Sequence, residues 1–486
     1  MSSKIEKNEE TVILRISIIC FVIFCGIMLY GIYHISFHID EAWFGEQSYF
    51  QNLSGHVYSN FFEGMLNYEN VILVRHKLFI YLGSLCIGLF GLNIVSLRII
   101  SVISAVLLFC LMYCYTRNEN GKQNGIFLYS FLVLMFCPLF FRYTMLFRPE
   151  LLLALIGFVV FFTVNRAVEQ KNIYYVIISG IAAGIAVLVH LNGLMFVVGG
   201  ASFYIFERQY RKLFLYLTAA CLIASLYAYD IVGNVDLFLY QFRMDPALES
   251  RDFEMFSFLT KLFDEHTRYF RKPEIIFIST LYLFSLVLNA KIFRNINWKT
   301  AVFTLTSFSV LGIIAQSNTT KYAIPLFPYF ALEIAYSIKA MKDKYHSIRR
   351  IILRSFSFLL LLMVLYGMIQ NILILKFDVF STIKDHKYIS KTIPYGSTVL
   401  APMFFMFDEI VRYKIVSLYW AEKNIKDMNK PFDWNNIERF AREHSANYII
   451  LNKKYLGRIN YISEINGLEI TRTEQHVVYS IDPCED

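Results

Sequence analysis

Over most of the chain apolar residues come in long runs rather than in alternation. The first, 12–33, is long enough to cross a bilayer at about 1.5 Å rise per residue. Further runs at roughly 98–115, 125–141, 150–165, 173–189, 193–206, 213–230, 274–290, 300–316, 323–338 and 351–374 each predict a crossing helix. The run 78–90 is short for a crossing and suits an interfacial or re-entrant helix. Charge supports that choice. With 78–90 left out, the basic loops fall on one side of the membrane, as the positive-inside rule expects. They hold Arg117 and Lys122; Arg166 and Lys171; Arg208, Arg211 and Lys212; Lys291, Arg294 and Lys299; and Lys339, Lys342, Lys344, Arg349 and Arg350. The pattern predicts a polytopic α-helical membrane protein of about eleven spans, with its amino terminus in the cytoplasm and its carboxyl terminus outside. Residues 1–10 are polar and no small-residue cleavage site follows 12–33, so that run is expected to stay as an anchor.

Beyond Leu375 the long apolar runs stop. Residues 376–486 predict a soluble extracytoplasmic α/β domain, against a transmembrane domain over 1–375. Strands are expected at 397–401, 447–451 and 477–481. Asp433 is placed to cap a helix that buries Ile437, Phe440 and Ala441. Nothing in this domain has the look of a catalytic centre, and a cap or docking role is expected of it.

Composition agrees with a membrane protein. Of 486 residues 56% are hydrophobic and only 17% charged, where a soluble chain carries about 25%. The mean hydropathy is +0.47. A formal charge of +8 calls for no nucleic acid, because Lys and Arg gather in the short inter-helix loops. Seven of eight cysteines lie in apolar runs and Cys484 in the polar tail, with no CxxC or Cys/His spacing for a metal and no disulfide framework. No cofactor is expected, a divalent metal being compatible with the sequence but not indicated by it, and no glycine-rich phosphate loop or dinucleotide fingerprint is present. Any donor should therefore arrive through the membrane.

The outer side collects the unusual features. His38-Ile39-Asp40-Glu41 places two carboxylates where the first span ends, and Arg148-Pro149-Glu150 opens another span with an acid. Acids at the rim of hydrocarbon are costly unless they face a polar cavity or a partner. Asp40 and Glu41 are adjacent and point about 100° apart on a helix. One is expected to serve as a general base and the other to fix a neighbouring loop or bind substrate. Glu150 is favoured by the helix dipole in a first turn, or is a second acid balanced by Arg148. Arg75, His76 and Lys77 attract lipid headgroups or clamp a lipid phosphate. Lys321 and Tyr322 are candidates for the same task, and His190 for a satisfied helix end.

The order of these motifs resembles the GT-C glycosyltransferases of the protein O-mannosyltransferase and lipid A aminoarabinose transferase type. The matching elements are Asp40-Glu41-Ala42-Trp43-Phe44-Gly45-Glu46-Gln47 with Gly55; Leu89-Phe90-Gly91-Leu92-Asn93 followed by Ser96-Leu97-Arg98-Ile99-Ile100-Ser101; Arg148-Pro149-Glu150; and Lys321-Tyr322-Ala323-Ile324-Pro325-Leu326-Phe327-Pro328. The resemblance implies a GT-C-like fold with juxtamembrane helices, 78–90 among them. It implies inverting transfer of a sugar from a polyprenyl-phosphate donor to a lipid, glycan or protein acceptor outside a bacterial plasma membrane. Carried over, Asp40 is the base, Glu150 the second acid, and Arg75, His76 or Lys77 the phosphate contacts. The run Arg75-His76-Lys77-Leu78-Phe79 lacks the prolines usual in the family, which leaves open which cation meets the phosphate.

Other readings are a ligase or polymerase using a diphosphate-linked oligosaccharide, and a lipid-linked sugar transporter or flippase. The first favours more basic outer loops. The second favours charged or broken helices at mid-membrane in matched halves, which the sequence does not show.

Overall fold

The computed structural model describes residues 2–120, 125–170, 172–244, 257–293, 297–315, 318–343, 350–459 and 468–481. The loop cations Lys122, Lys171, Arg294, Lys344 and Arg349, the tail residue Cys484 and residues 245–256 of a long outer loop, 231–273, expected to set acceptor choice, lie outside them. The described residues are mostly helical. Six stretches are long and apolar enough to cross a membrane: Thr11–His34, Ile94–Arg117, Pro149–Gln170, Tyr210–Ala228, Pro273–Ala290 and Arg354–Ile389. Shorter apolar helices are Lys77–Phe90, Ile126–Met135, Ile173–Val189, Leu191–Phe206 and Trp298–Ile314.

Prolines account for two departures from the expected spans. The run expected as one helix over 125–141 is broken into Ile126–Met135 and Pro138–Tyr143. Pro138 has no N–H to continue the first helix and suits the first turn of a new one. The run 323–338 begins as a 3₁₀ segment, Thr320–Leu326, that holds Pro325, and becomes α-helical only at Phe327–Asp343.

The chain forms two compact units. One takes in the described residues of Met1–Ile32, His76–Phe79 and Ile99–Lys376. Within it the Ile173–Val189 helix packs on both Pro149–Gln170 and Tyr210–Ala224. Small residues make the second approach close. A Cβ at Gly180 would lie 2.5 Å from the Tyr216 carbonyl oxygen, and one at Gly184 would lie 2.6 Å from that of Ala220. Lipid tails are as apolar as leucine, so such backbone proximity and dispersion, not water exclusion, hold these helices together. Phe158, Phe161, Phe196, Phe303 and Tyr329 interlock at ring distances from 5.1 to 6.3 Å and fill the centre.

The other unit joins Tyr33–Arg75 and Ile80–Arg98 to the described residues of Phe377–Asp486. Its sheet has five strands: β1 (Thr398–Ala401), β2 (Lys414–Ser417), β3 (Tyr448–Asn452), β4 (Leu468–Arg472) and β5 (His476–Ser480), in the order β2-β1-β3-β5-β4. β1 pairs in parallel with β2 and β3, and β5 pairs antiparallel with β3 and β4. Asp433 accepts from the Asn436 N–H at 2.9 Å and caps Trp434–Glu443, whose Ile437, Phe440 and Ala441 are buried. The first polar loop packs on this sheet domain. Ser417 N–H donates to the Phe61 carbonyl at 3.2 Å, Lys414 pairs with Glu63 at 2.8 Å, and Trp420 Nε1 donates to the Glu63 carbonyl at 3.1 Å.

Candidate active site

The two adjacent acids sit at the start of the Ile39–Ser54 helix, in opposite surroundings. Glu41 is fully buried. Arg98 grips it with Nε on Oε1 and Nη2 on Oε2, both at 2.9 Å, and the His38 N–H donates to Oε2 at 2.9 Å, closing a capping box. Arg98 is itself buried and donates from Nη1 to the Ile35 carbonyl at 3.2 Å. Glu41 thus ties the end of the first helix to the start of Ile94–Asn120. Asp40 is different. Its N–H donates to His38 Nδ1 at 3.2 Å, and its side chain stays 25% exposed. Of the pair, Asp40 is the partly exposed one, with its Oδ2 3.9 Å from His38 Nδ1.

The same helix carries a third acid, Glu46, which belongs to the resembling motif but has no role expected of it. It is buried, with its carboxyl on the 59–61 turn: 2.5 Å to Ser59 Oγ, 2.9 Å to the Asn60 N and 3.2 Å to the Phe61 N. Arg75, in this unit, donates to the Ile72 carbonyl at 2.7 Å.

In the other unit the motifs around Glu150 converge. Glu150 and Arg148 are both buried and make a two-point pair, Nη2 to Oε1 at 2.6 Å and Nε to Oε2 at 3.1 Å. The 143–148 segment before them is held by the Ser101 hydroxyl, which donates to the Leu146 carbonyl at 2.5 Å, and by Phe147 stacked on Phe79 at 4.4 Å. His76 stacks on His190 at 4.3 Å, and Tyr322 meets His190 edge-on at 5.4 Å. His190 Nδ1 accepts from the Asn192 N–H at 3.0 Å, a helix-entry cap. Lys321 lies 5.6 Å from the Tyr322 ring.

These groups feel one another. Burial, with Arg148 alongside, pulls the Lys321 ammonium down to about 8 against the opposing pull of Glu150. Burial brings His76 down to about 4, where Glu150 resists and Lys321 assists. Burial, His76, Arg148 and Lys321 together hold His190 well below the usual imidazole range. At neutral pH both imidazoles are therefore neutral hydrogen-bonding groups, and Arg148 and Lys321 carry the positive charge. Arg268 joins from the long outer loop 231–273, where acceptor choice is expected but no single residue is singled out. It is buried, paired by two contacts with Glu265 (2.6 and 3.0 Å), donates to the Thr319 carbonyl at 2.8 Å and lies 5.6 Å over the Tyr322 ring. Glu265 and Arg268 sit among Asp264, Arg271 and Lys272, and nothing in that run separates them from surface charge.

The three residues of the 75–77 run go to different partners. Arg75 reaches the Ile72 carbonyl, His76 stacks at the Glu150 cluster, and Lys77 reaches the Tyr227 carbonyl and the Asp230 carboxylate while lying 4.4 Å over the Tyr227 ring. Among the described residues no three His, Cys, Asp or Glu side chains are grouped as a metal would need.

Chemically, the Glu150 cluster is a place where positive charge outweighs negative beside neutral donors, the setting an anionic group requires. Asp40 is a partly exposed carboxylate at a helix start, and general-base work requires a carboxylate that an acceptor can reach.

Residues 77–229 match the family described as dolichyl-phosphate-mannose-protein mannosyltransferase. No curated protein matches the chain by sequence. Among solved structures, ArnT from Cupriavidus metallidurans, solved bound to undecaprenyl phosphate and also in the apo state, superposes with a TM-score of 0.63 at 12% identity over 95% of this chain and 97% of its own. The oligosaccharyltransferase of Archaeoglobus fulgidus in its apo form gives 0.47 at 12% identity, covering 90% of this chain and 69% of its own. The chain is an integral membrane protein with the fold of the GT-C glycosyltransferases, and the family whose description it matches is one of glycosyltransferases.

Proposed function

We propose that the protein moves a sugar from a polyprenyl-phosphate donor to an acceptor hydroxyl or amine on the extracytoplasmic side of the membrane, with inversion. In this reading Asp40 takes the acceptor's proton as the acceptor attacks the anomeric carbon. The bond from that carbon to the phosphate oxygen breaks, and the lipid phosphate leaves with one more negative charge. Arg148, Lys321 and the neutral donors His76 and Tyr322 meet that charge, while Glu150 holds Arg148 in place. Arg75 and Lys77 support the segment that carries His76.

The observation that carries the proposal is the buried cluster of Arg148, Glu150, Lys321 and His76, brought together from three distant parts of the chain. Fixed cations there need no reorganisation when the leaving group gains charge, which is where preorganised electrostatics lowers a barrier most. ArnT from Cupriavidus metallidurans, solved with undecaprenyl phosphate, supports a lipid-phosphate donor through its shared fold. The concentration of loop cations on one side supports an amino terminus in the cytoplasm.

The test is to incubate membranes holding the protein with radiolabelled polyprenyl-phosphate sugars and identify what becomes labelled. Label passing to a glycan, lipid or protein supports the reading. Release of sugar to no acceptor, or lipid crossing the bilayer with its sugar intact, defeats it.

A further inference from the structure

Glu46 has a task that the transfer chemistry does not use. It lies on the helix that begins with Asp40, it is wholly buried, and its two oxygens are spent on one turn of the following loop. That turn is in turn grasped by the C-terminal domain, since the Phe61 carbonyl accepts the Ser417 N–H at the end of β2. The helix has a second fixed point near its start, the Glu41–Arg98 pair. Beside Glu46, Gly45 leaves room for the Phe407 ring, which a Cβ would approach to 2.9 Å. Two fixed points separated by more than one turn set both the height and the rotation of a helix, where one point leaves it free to pivot.

We propose that Glu46 is a positioning residue for Asp40: its buried carboxyl fastens the Ile39–Ser54 helix to the 59–61 turn and, through that turn, to the C-terminal α/β domain. The α/β domain is then part of the support of the base, not a separate docking module. The inference rests on the reading of Asp40 as base.

The chemistry of the contact supplies a discriminating variant. Burial pushes Glu46 up to about 8 against the hydrogen bonds from Ser59, Asn60 and Phe61. The titratable side chain facing it is the Tyr58 phenol, itself raised by burial, by Glu46 and by Tyr49. At neutral pH Glu46 is the neutral acid, with one oxygen accepting two backbone N–H groups and the other sharing a proton with Ser59. Gln can reproduce that pattern, its oxygen accepting and its amide donating to Ser59 Oγ. Ala cannot.

The experiment uses the full chain in lipid nanodiscs with saturating donor. Glu46→Ala is expected to lose about 100-fold in kcat, the cost of roughly 1 Å of misplacement, with donor KM unchanged. Glu46→Gln restores most of it, and Ser59→Ala, which removes one of three bonds, falls between. Hydrogen exchange at the Asn60 and Phe61 amides speeds up in Glu46→Ala and not in Glu46→Gln. Wild-type kcat in Glu46→Ala, or Glu46→Gln as impaired as Glu46→Ala with these amides still protected, overturns the proposal. If Glu46→Ala does not fold, the kcat of Ser59→Ala and of Glu46→Gln, with amide exchange at Asn60 and Phe61 in each, decide it. If the wild type transfers no sugar, the reading of Asp40 falls, and amide exchange alone decides whether Glu46 holds the turn.

Discussion

Arg98 and Lys321 are cations whose surroundings set opposite balances. Arg98 is buried against Glu41 with both carboxylate oxygens engaged. Removing it leaves a buried acid without its counter-charge, which costs roughly 3–5 kcal/mol. Arg98→Ala is therefore expected to unfold well below the wild type in a thermal melt of the detergent-solubilised protein. Normal melting would mean that Glu41 finds another partner. Lys321 faces the reverse balance. Its folded pKa is depressed from the ordinary lysine value to about 8, so it is charged below that pH and progressively neutral above it. Binding of an anionic lipid phosphate favours the charged form, so affinity is full below about pH 8 and is lost as pH rises through it. Lys321→Arg, which stays protonated, should flatten that dependence. Titration calorimetry with polyprenyl phosphate across this range checks both statements, and a flat wild-type profile would remove Lys321 from the phosphate's contacts.

Helices meet here by small residues and end by caps, and each can be tested by one substitution. At Gly180 a Cβ would press on a backbone carbonyl, which cannot step aside as a side chain can. Gly180→Ala is expected to lower the melting temperature by an overpacking cost of about 1–3 kcal/mol. Gly26→Ala, where nothing lies within 4 Å, should leave it unchanged. Equal melting of the two variants would argue against close packing of Ile173–Val189 on Tyr210–Ala224. In the α/β domain, Asp433→Ala removes the cap of Trp434–Glu443 and should cost about 1 kcal/mol, seen as faster amide exchange in that helix's first turn.

For the whole molecule the decisive variant is Asp40→Asn. It keeps the shape and most of the polarity of the helix start but cannot take a proton. Expected is loss of sugar transfer by several orders of magnitude, with folding and lipid-phosphate binding retained; general-base removal alone is worth about 10²–10⁴-fold. Transfer at the wild-type rate would remove Asp40 from the role of base. The shared fold with ArnT at 12% identity shows why this must be measured: a fold persists where side-chain chemistry has changed, and fold does not fix function.

The chain's periodicity determined the helical membrane class, the α/β character after 375 and the acids that open the helices at Asp40 and Glu150, because burial in lipid and helix entry are local requirements written in consecutive residues. The helix break at Pro138 was legible too, in hindsight, from proline's missing donor. What local pattern cannot express is pairing across long separations. That Glu41 is buried against Arg98 while Asp40 stays partly exposed, that Arg75, His76 and Lys77 part company, and that Arg268 and Glu46 matter at all depends on which side chains the packed helices bring into contact. A charge in a sequence has a sign; only the tertiary structure gives it a partner, and the partner decides whether it braces the fold or waits for a substrate.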